Sequence, residues 1–551
     1  MKSNLFNGNE THKTIIIGFL LIAAGILFFL FWADKKEVWF CDEIYSYESA
    51  NGFEQEWPMN NPDQWMSGDD VDAFFAADAD TLSFRDITVR LYNDHVPLYF
   101  WLFRVVSFFF FKGSGTIWIG LSINLAFYLV FLILGYLLFC RLTKSPFLAG
   151  TAMFLTCVVN RLLLEQTMIL RMYMMLLLAE GLLLLGGFWI LREISKDRLS
   201  PGAFFYLFGV SVAGFLTHYD FWIFYAAQAF MFCLWLLILA FRQKGKRFRT
   251  AAAFRAAAVW CVTFVLSLLA TIWLFPYCRW NLNRGKGQMA LTSLFDFSGE
   301  KIRQIADGYE HLSLSIFGSA LPAALGLLLI FGCIIGGGIF LFQKKEYRRL
   351  TALVLTVLTA QVYQFIVCFT IPAGFEERYL WGSYTIMMLC MAFGAILLLQ
   401  ALFSRIEGGR TRRITQWITG FILSACMLAI QISVIEGGKG IPYLFYEEKD
   451  MDLLEENRNI PWIVYGGAAD VYSCYDWRIP ERICFLSPDQ TGQENTALQE
   501  LQSDTFVLYV YEEHLSDALA FFEQASGQKQ EAEYLTRSTN YSVYLVKRSA
   551  L

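Results

Sequence analysis

Eleven stretches of about 20 apolar residues, the length a helix needs to cross a hydrocarbon core, dictate what this chain can become. They lie at roughly 14–32, 116–139, 146–164, 170–191, 203–217, 220–241, 255–275, 318–342, 350–372, 379–403 and 414–435. Inside a bilayer each backbone N–H and C=O must be satisfied within its own segment, so such runs can only be helices. With 56% hydrophobic residues, the chain reads as an α-helical polytopic membrane protein of about 11 transmembrane helices. A twelfth run, 97–111, is shorter and aromatic and reads as lying in the interface. Lys13 precedes the first run and Lys35 and Lys36 follow it without a small-residue cleavage site, the pattern of a retained span.

The net charge of −5 matters less than where the cations sit. Lys and Arg gather at Arg141/Lys144, Arg192/Lys196/Arg198, Arg242 to Arg249, Lys344 to Arg349 and Arg405 to Arg413. The positive-inside rule assigns all five clusters to the cytoplasm. The N-terminus is then cytoplasmic and the C-terminal tail extracytoplasmic, in a multi-pass protein of the plasma membrane. Each basic cluster is short and caps a span, which argues against nucleic acid as a partner. The 12 cysteines show no CxxC and no metal-ligand spacing with histidine. Cys474 and Cys484 lie in the outer tail and could pair there.

Four parts follow: an N-terminal tail and first span (1–32), an outer loop with juxtamembrane helices (33–115), the bundle (116–436) and a small extracytoplasmic α/β cap (437–551). In the cap, 462–465, 482–486, 506–511 and 541–546 read as strands and 513–524 as a helix. A second outer loop spans 276–317.

With this topology the unusual polar residues fall on one face. Asp42 and Glu43 follow the first span, and His95 closes the first loop. Glu165, Arg171 and Tyr173 sit at one outer turn, His218, Tyr219 and Asp220 at another, and Glu376, Glu377, Arg378 and Tyr379 at a third. Charges near hydrocarbon are costly and are usually functional or paired. Together they supply a carboxylate able to take a proton and guanidiniums whose planar fork matches phosphate oxygens. Each also has a plainer reading: a solvated helix exit for the acids, a turn cap for His95, headgroup anchors for Arg171 and Arg378. The aromatics Trp39, Phe40, Tyr45, Tyr47, Trp57 and Trp65 fit an interfacial belt or a sugar-stacking surface.

The order of Asp42-Glu43-Ile44-Tyr45, His95-Val96-Pro97-Leu98-Tyr99, Arg171-Met172-Tyr173, Thr217-His218-Tyr219 and Arg378-Tyr379-Leu380 resembles the GT-C membrane glycosyltransferases. The protein mannosyltransferase-like and aminoarabinose transferase-like groups stand nearest. The resemblance covers roughly 14–405 and leaves out the cap; Val96 stands where the family often has the first proline of His-Pro-Pro. It implies an inverting glycosyltransferase that moves a hexosyl or pentosyl group from a polyprenyl-phosphate carrier to an envelope glycan, lipid or protein on the outer face. By that likeness Asp42 is the general base, and Glu43 holds the acceptor or shares a metal. Arg171, Arg378, His95 and His218 meet the donor phosphate, and Tyr45, Tyr99, Tyr173, Tyr219 and Tyr379 line the substrate. Asp42, Glu43 and Glu165 could hold a divalent cation (Mg or Mn), though no metal is expected. Two rivals stand beside this: a transporter or flippase of lipid-linked sugars, for which Gly336-Gly337-Gly338 is the best feature, and a non-catalytic envelope assembly protein.

Overall fold

A computed structural model describes residues 8–549 apart from 37–38, 52–61, 78–81, 92–94, 195, 197–198, 243–246, 294–297, 371–376, 405–408, 437–449, 467–475, 487–494 and 539. Among the described residues, eight helices are long and apolar enough to cross a membrane: Thr11–Ala33, Trp118–Thr143, Tyr173–Ile194, Asp220–Leu239, Phe254–Leu274, Ala323–Gln343, Tyr347–Thr370 and Glu377–Phe403. The other three apolar runs are helical too. The 203–217 run forms the 15-residue helix Pro201–Phe215, and 414–435 lies within Gly409–Glu436. The interfacial run becomes Leu98–Phe111, 14 residues, about 21 Å long and too short to cross unaided.

The 146–164 run is broken. Pro146–Val158 and Arg161–Met168 meet at 56°, after a π-helical turn over Phe154–Val158. Asn160 makes the break, because its Oδ1 accepts the Leu162 N–H at 3.0 Å and starts a new helix. A break at membrane depth survives only where its backbone groups find partners. Here the Asn124 amide donates to the carbonyls of Thr167 and Ile169, Gln431 accepts from the Arg161 N–H at 2.8 Å, and Asn160 donates to the Ile316 carbonyl.

The triple glycine is a packing device. A Cβ on Gly337 would lie 2.6 Å from the Cα of Gly394, so Ala323–Gln343 and Trp381–Phe403 touch backbone to backbone, as small residues permit. That accounts for the feature that best favoured a transporter.

Above the bundle lies a six-stranded sheet: β1 (Trp65–Met66), β2 (Trp462–Tyr465), β3 (Ile483–Leu486), β4 (Thr505–Val510), β5 (Lys529–Ser538) and β6 (Tyr541–Ser549), in the order β1-β3-β2-β4-β6-β5. β2 runs parallel to β3 and β4, and the other pairs are antiparallel. The parallel strands β2 and β3 are buried at every position, which explains their unbroken apolar runs. The predicted cap helix is Leu515–Ser526. β5 was not expected, since its alternating charges suit an exposed edge. β1 was also not expected: the first outer loop supplies an edge strand, pairing Trp65 with Cys484.

Cap and loop therefore share one core. Trp39 stacks on Tyr47 at 4.2 Å, and the Arg478 guanidinium lies 5.3 Å from the Trp39 ring and pairs with Asp72. Asn495 reaches Asp63 at 2.6 Å, and the Trp65 indole donates to the Ala497 carbonyl. Cys484 is buried in β3; its suggested partner Cys474 lies outside the described residues, as do Trp57 and Glu376.

Candidate functional site

The first span ends at Ala33, and a new helix, Cys41–Ala50, begins after Phe40. Successive helical residues point about 100° apart, so the two neighbouring acids at its start face different surroundings. Glu43 turns inward with no exposed side-chain surface. Its carboxylate accepts from Lys36 Nζ at 2.9 Å, the Phe40 N–H at 2.6 Å and the Leu170 N–H at 2.7 Å. Burial pushes its pKa above the usual carboxylate value, against the opposing pull of Lys36 and the two backbone donors. Glu43 thus ties the first span, its own helix and the 161–171 segment together. It presents no open oxygen to an acceptor or a metal, contrary to the expectation for it.

Asp42 turns outward and keeps 19% of its side chain exposed. Its Oδ2 lies 2.7 Å from Arg378 Nη1, and Arg378 itself is only 8% exposed. The guanidinium is held between the rings of Phe40 and Tyr379, each 5.5 Å away, a geometry that favours a cation over a π face.

Arg171 approaches from the segment after the broken span. Its Nη1 donates to the Asp42 carbonyl at 2.9 Å and to Ser46 Oγ at 3.1 Å, and its Nη2 lies 2.8 Å from His95 Nε2. Arginine has no acceptor, so His95 accepts through Nε2 and carries its ring proton on Nδ1. The ring is stacked on Phe100. A histidine in that state is not a cation for phosphate; it orients Arg171. Arg171 Nε is buried without a hydrogen-bond partner among the described residues, an orphan donor that an anionic oxygen would satisfy.

The remaining residues extend this patch. Tyr173 lies 5.4 Å from Trp381 and 5.9 Å from His218, whose ring is 6.4 Å from Tyr379. His218 Nδ1 accepts the Asp220 N–H at 3.1 Å. Tyr219 accepts from Asn281 of the second outer loop. Tyr45 is exposed, whereas Tyr99 is wholly buried beside Phe100 and Phe103, so Tyr99 supports the loop core and lines no open surface. Sequence reasoning missed Lys36, read only as a flanking charge, and Ser46, Phe100 and Trp381; Phe40 was named only as a belt or sugar-stacking aromatic. It also missed Glu180, whose buried carboxylate has no hydrogen-bond partner among the described residues.

The residues suggested for a divalent cation do not make a donor set. Asp42, Glu43 and Glu165 are each bound to a different cation, Arg378, Lys36 and Arg161. Among the described residues no group of three or more His, Cys, Asp or Glu side chains is arranged to hold a metal.

No protein-family model matches the chain, and no curated protein matches it in sequence. Among solved structures it is similar to the archaeal oligosaccharyltransferase AglB from Archaeoglobus fulgidus in complex with an inhibitory peptide and a dolichol-phosphate. That likeness has 12% identity and a TM-score of 0.38 over 82% of this chain and 66% of the other. Two crystal structures of the Archaeoglobus fulgidus oligosaccharyltransferase also align. One, with zinc and sulfate, gives 13% identity and a TM-score of 0.45 over 96% of this chain and 73% of that one. The other, tethered to an acceptor peptide by a disulfide bond, gives 11% and 0.39 over 95% and 74%.

Proposed function

We propose that this chain is an integral membrane glycosyltransferase of GT-C type, which moves a sugar from a polyprenyl-phosphate carrier to a hydroxyl acceptor on the outer membrane face. One observation carries the reading. A partly exposed carboxylate, Asp42, stands 2.7 Å from Arg378 with Arg171 held against its own carbonyl, at the rim where the first span ends.

In this reading the donor phosphate takes over Arg378 and meets the orphan Nε–H of Arg171. That releases the Asp42 carboxylate to accept the acceptor hydroxyl's proton as the acceptor oxygen attacks the anomeric carbon. The bond from that carbon to the phosphate oxygen breaks, and the electron pair stays on the leaving lipid phosphate, facing two fixed guanidiniums. In-line attack inverts the anomeric centre. Positioned general-base assistance contributes about 10²–10⁴-fold. Glu43 and His95 act as positioning residues, the first fixing the Asp42 backbone and the second fixing Arg171. Tyr379 lies against Arg378, with His218 and Tyr173 next to it; these three and the exposed Tyr45 are assigned to the sugar and the phosphate.

The acceptor class (envelope glycan, lipid or protein) and the sugar follow from no motif. A transporter would place broken spans in two related halves. The single bent pair among the described residues instead carries Leu170 and Arg171 to the site. The test is transfer of radiolabelled sugar from a panel of polyprenyl-phosphate donors by membranes containing the chain. Transfer above control membranes with at least one donor supports the enzyme, and the active donor names the sugar. Translocation of an intact donor without transfer would replace the enzyme with a flippase.

A further inference from the structure

At the opposite end of the bundle five spans part around an apolar cavity. Trp118–Thr143, Tyr173–Ile194, Asp220–Arg242, Tyr347–Thr370 and Trp381–Phe403 line about 810 Å³, within the range of ligand pockets. Tyr173 at the site and Arg192 at the cavity mouth share one helix, and about 28 Å of helix separates them. The cavity therefore has no share in the chemistry proposed around Asp42.

Its walls include Leu138, Leu142, Leu178, Phe188 and Phe393, with Gly135 and Gly181 also in the lining. Its mouth is cationic: Arg192, Arg348 and Arg349 all border it. Arg192 and Arg348 are exposed, and Arg349 pairs with Glu346 at 2.7 Å. Among the described residues no carboxylate lines the cavity. Apolar walls of this size forfeit dispersion contacts unless something fills them, and a guanidinium cluster at a span end selects for phosphate.

We propose that this cavity binds an anionic glycerophospholipid from the leaflet at the basic end, with an acyl chain between the five spans and the phosphate against Arg192, Arg348 and Arg349. Charge complementarity decides the occupant: basic pockets between spans on that side suit anionic headgroups, whereas a zwitterionic lipid offers the same phosphate but brings its own cation up against the three arginines.

The test is native mass spectrometry of the full chain released from nanodiscs of mixed dioleoylphosphatidylglycerol and dioleoylphosphatidylcholine. The wild type retains phosphatidylglycerol over phosphatidylcholine by about tenfold or more, and the Arg192→Glu/Arg348→Glu double variant loses that preference. Gly181→Leu supplies a second arm that leaves the arginines intact. A Cβ at Gly181 meets the Phe131 ring at an ordinary 3.4 Å, so the larger side chain fills the cavity and lowers retention of the lipid. Equal retention of the two lipids overturns the proposal, as does retention untouched by both variants. Displacement of phosphatidylglycerol by an equimolar polyprenyl phosphate overturns the assigned source.

Discussion

Around the start of the Cys41–Ala50 helix each described carboxylate has a cation beside it: Asp42 with Arg378 at 2.7 Å, Glu43 with Lys36 at 2.9 Å, and Glu165 with Arg161 at 2.8 Å. Two turns inside the neighbouring span, Glu180 is just as buried, yet both its oxygens lack a hydrogen-bond partner among the described residues. A Cβ on Gly382 would collide with it, so the helix that starts beside Arg378 packs directly on this acid. At the rim charge is used in pairs, which fix three separate segments relative to one another. In the interior it stands alone at a cost in stability. Paired charge builds geometry; solitary charge in hydrocarbon is retained for another reason or is a liability.

Breaking the rim should therefore cost most. Glu43→Gln leaves Lys36 buried without its counter-ion and should destabilise the protein by about 3–5 kcal/mol, read as a lower melting temperature in detergent. A Lys36→Met/Glu43→Gln double variant should recover part of that loss, because it removes the unpaired ammonium while the Gln oxygen can still accept one of the two backbone N–H groups that Glu43 holds. If the single variant melts like the wild type, the Glu43 anchor is not structural.

Arg378→Gln removes a charged contact assigned to the donor phosphate, worth about 1.5–3 kcal/mol. Transfer should fall while thermal stability changes less than in Glu43→Gln. A melting temperature that drops as far as for Glu43→Gln, with the donor KM unchanged, would make Arg378 a packing residue.

In the interior the sign reverses. Glu180→Leu removes an unsatisfied buried carboxyl and should stabilise by about 1–3 kcal/mol. A lower melting temperature would show that Glu180 has a partner after all. The smallest effect lies in the outer loop, where Ser67 caps Gly68–Phe75 by accepting the Asp70 N–H at 3.1 Å. Ser67→Ala should cost about 1 kcal/mol and leave transfer untouched; a change in activity would link that helix to the site.

The helices were legible because the apolar runs are long. The break at Asn160 was not, since Val158-Val159-Asn160 is hidden in an apolar run and the break is made tolerable by the side-chain amides of Asn124 and Gln431, from distant helices, and by Asn160's own bond to the Ile316 carbonyl. The buried strands β2 and β3 announced themselves by unbroken apolar residues, while the two-residue β1 and the charged edge β5 carry no such signal. Asp42, Arg171 and Arg378 were grouped together from the sequence, and in the structure Asp42 touches both guanidiniums. The separate fates of Asp42 and Glu43 could not be read, because adjacency says nothing about how a helix is rotated. Nor could the acceptor state of His95, which depends on a guanidinium 76 residues away.

The account rests on Asp42 accepting a proton, so the deciding measurement is single-turnover transfer by Asp42→Asn once an active donor is known, with donor binding measured on the same preparation. The variant should bind donor about as well as the wild type and transfer about 10²–10⁴-fold more slowly. Transfer at a near-wild-type rate, with the same donor bound, would contradict it and remove Asp42 from the chemistry.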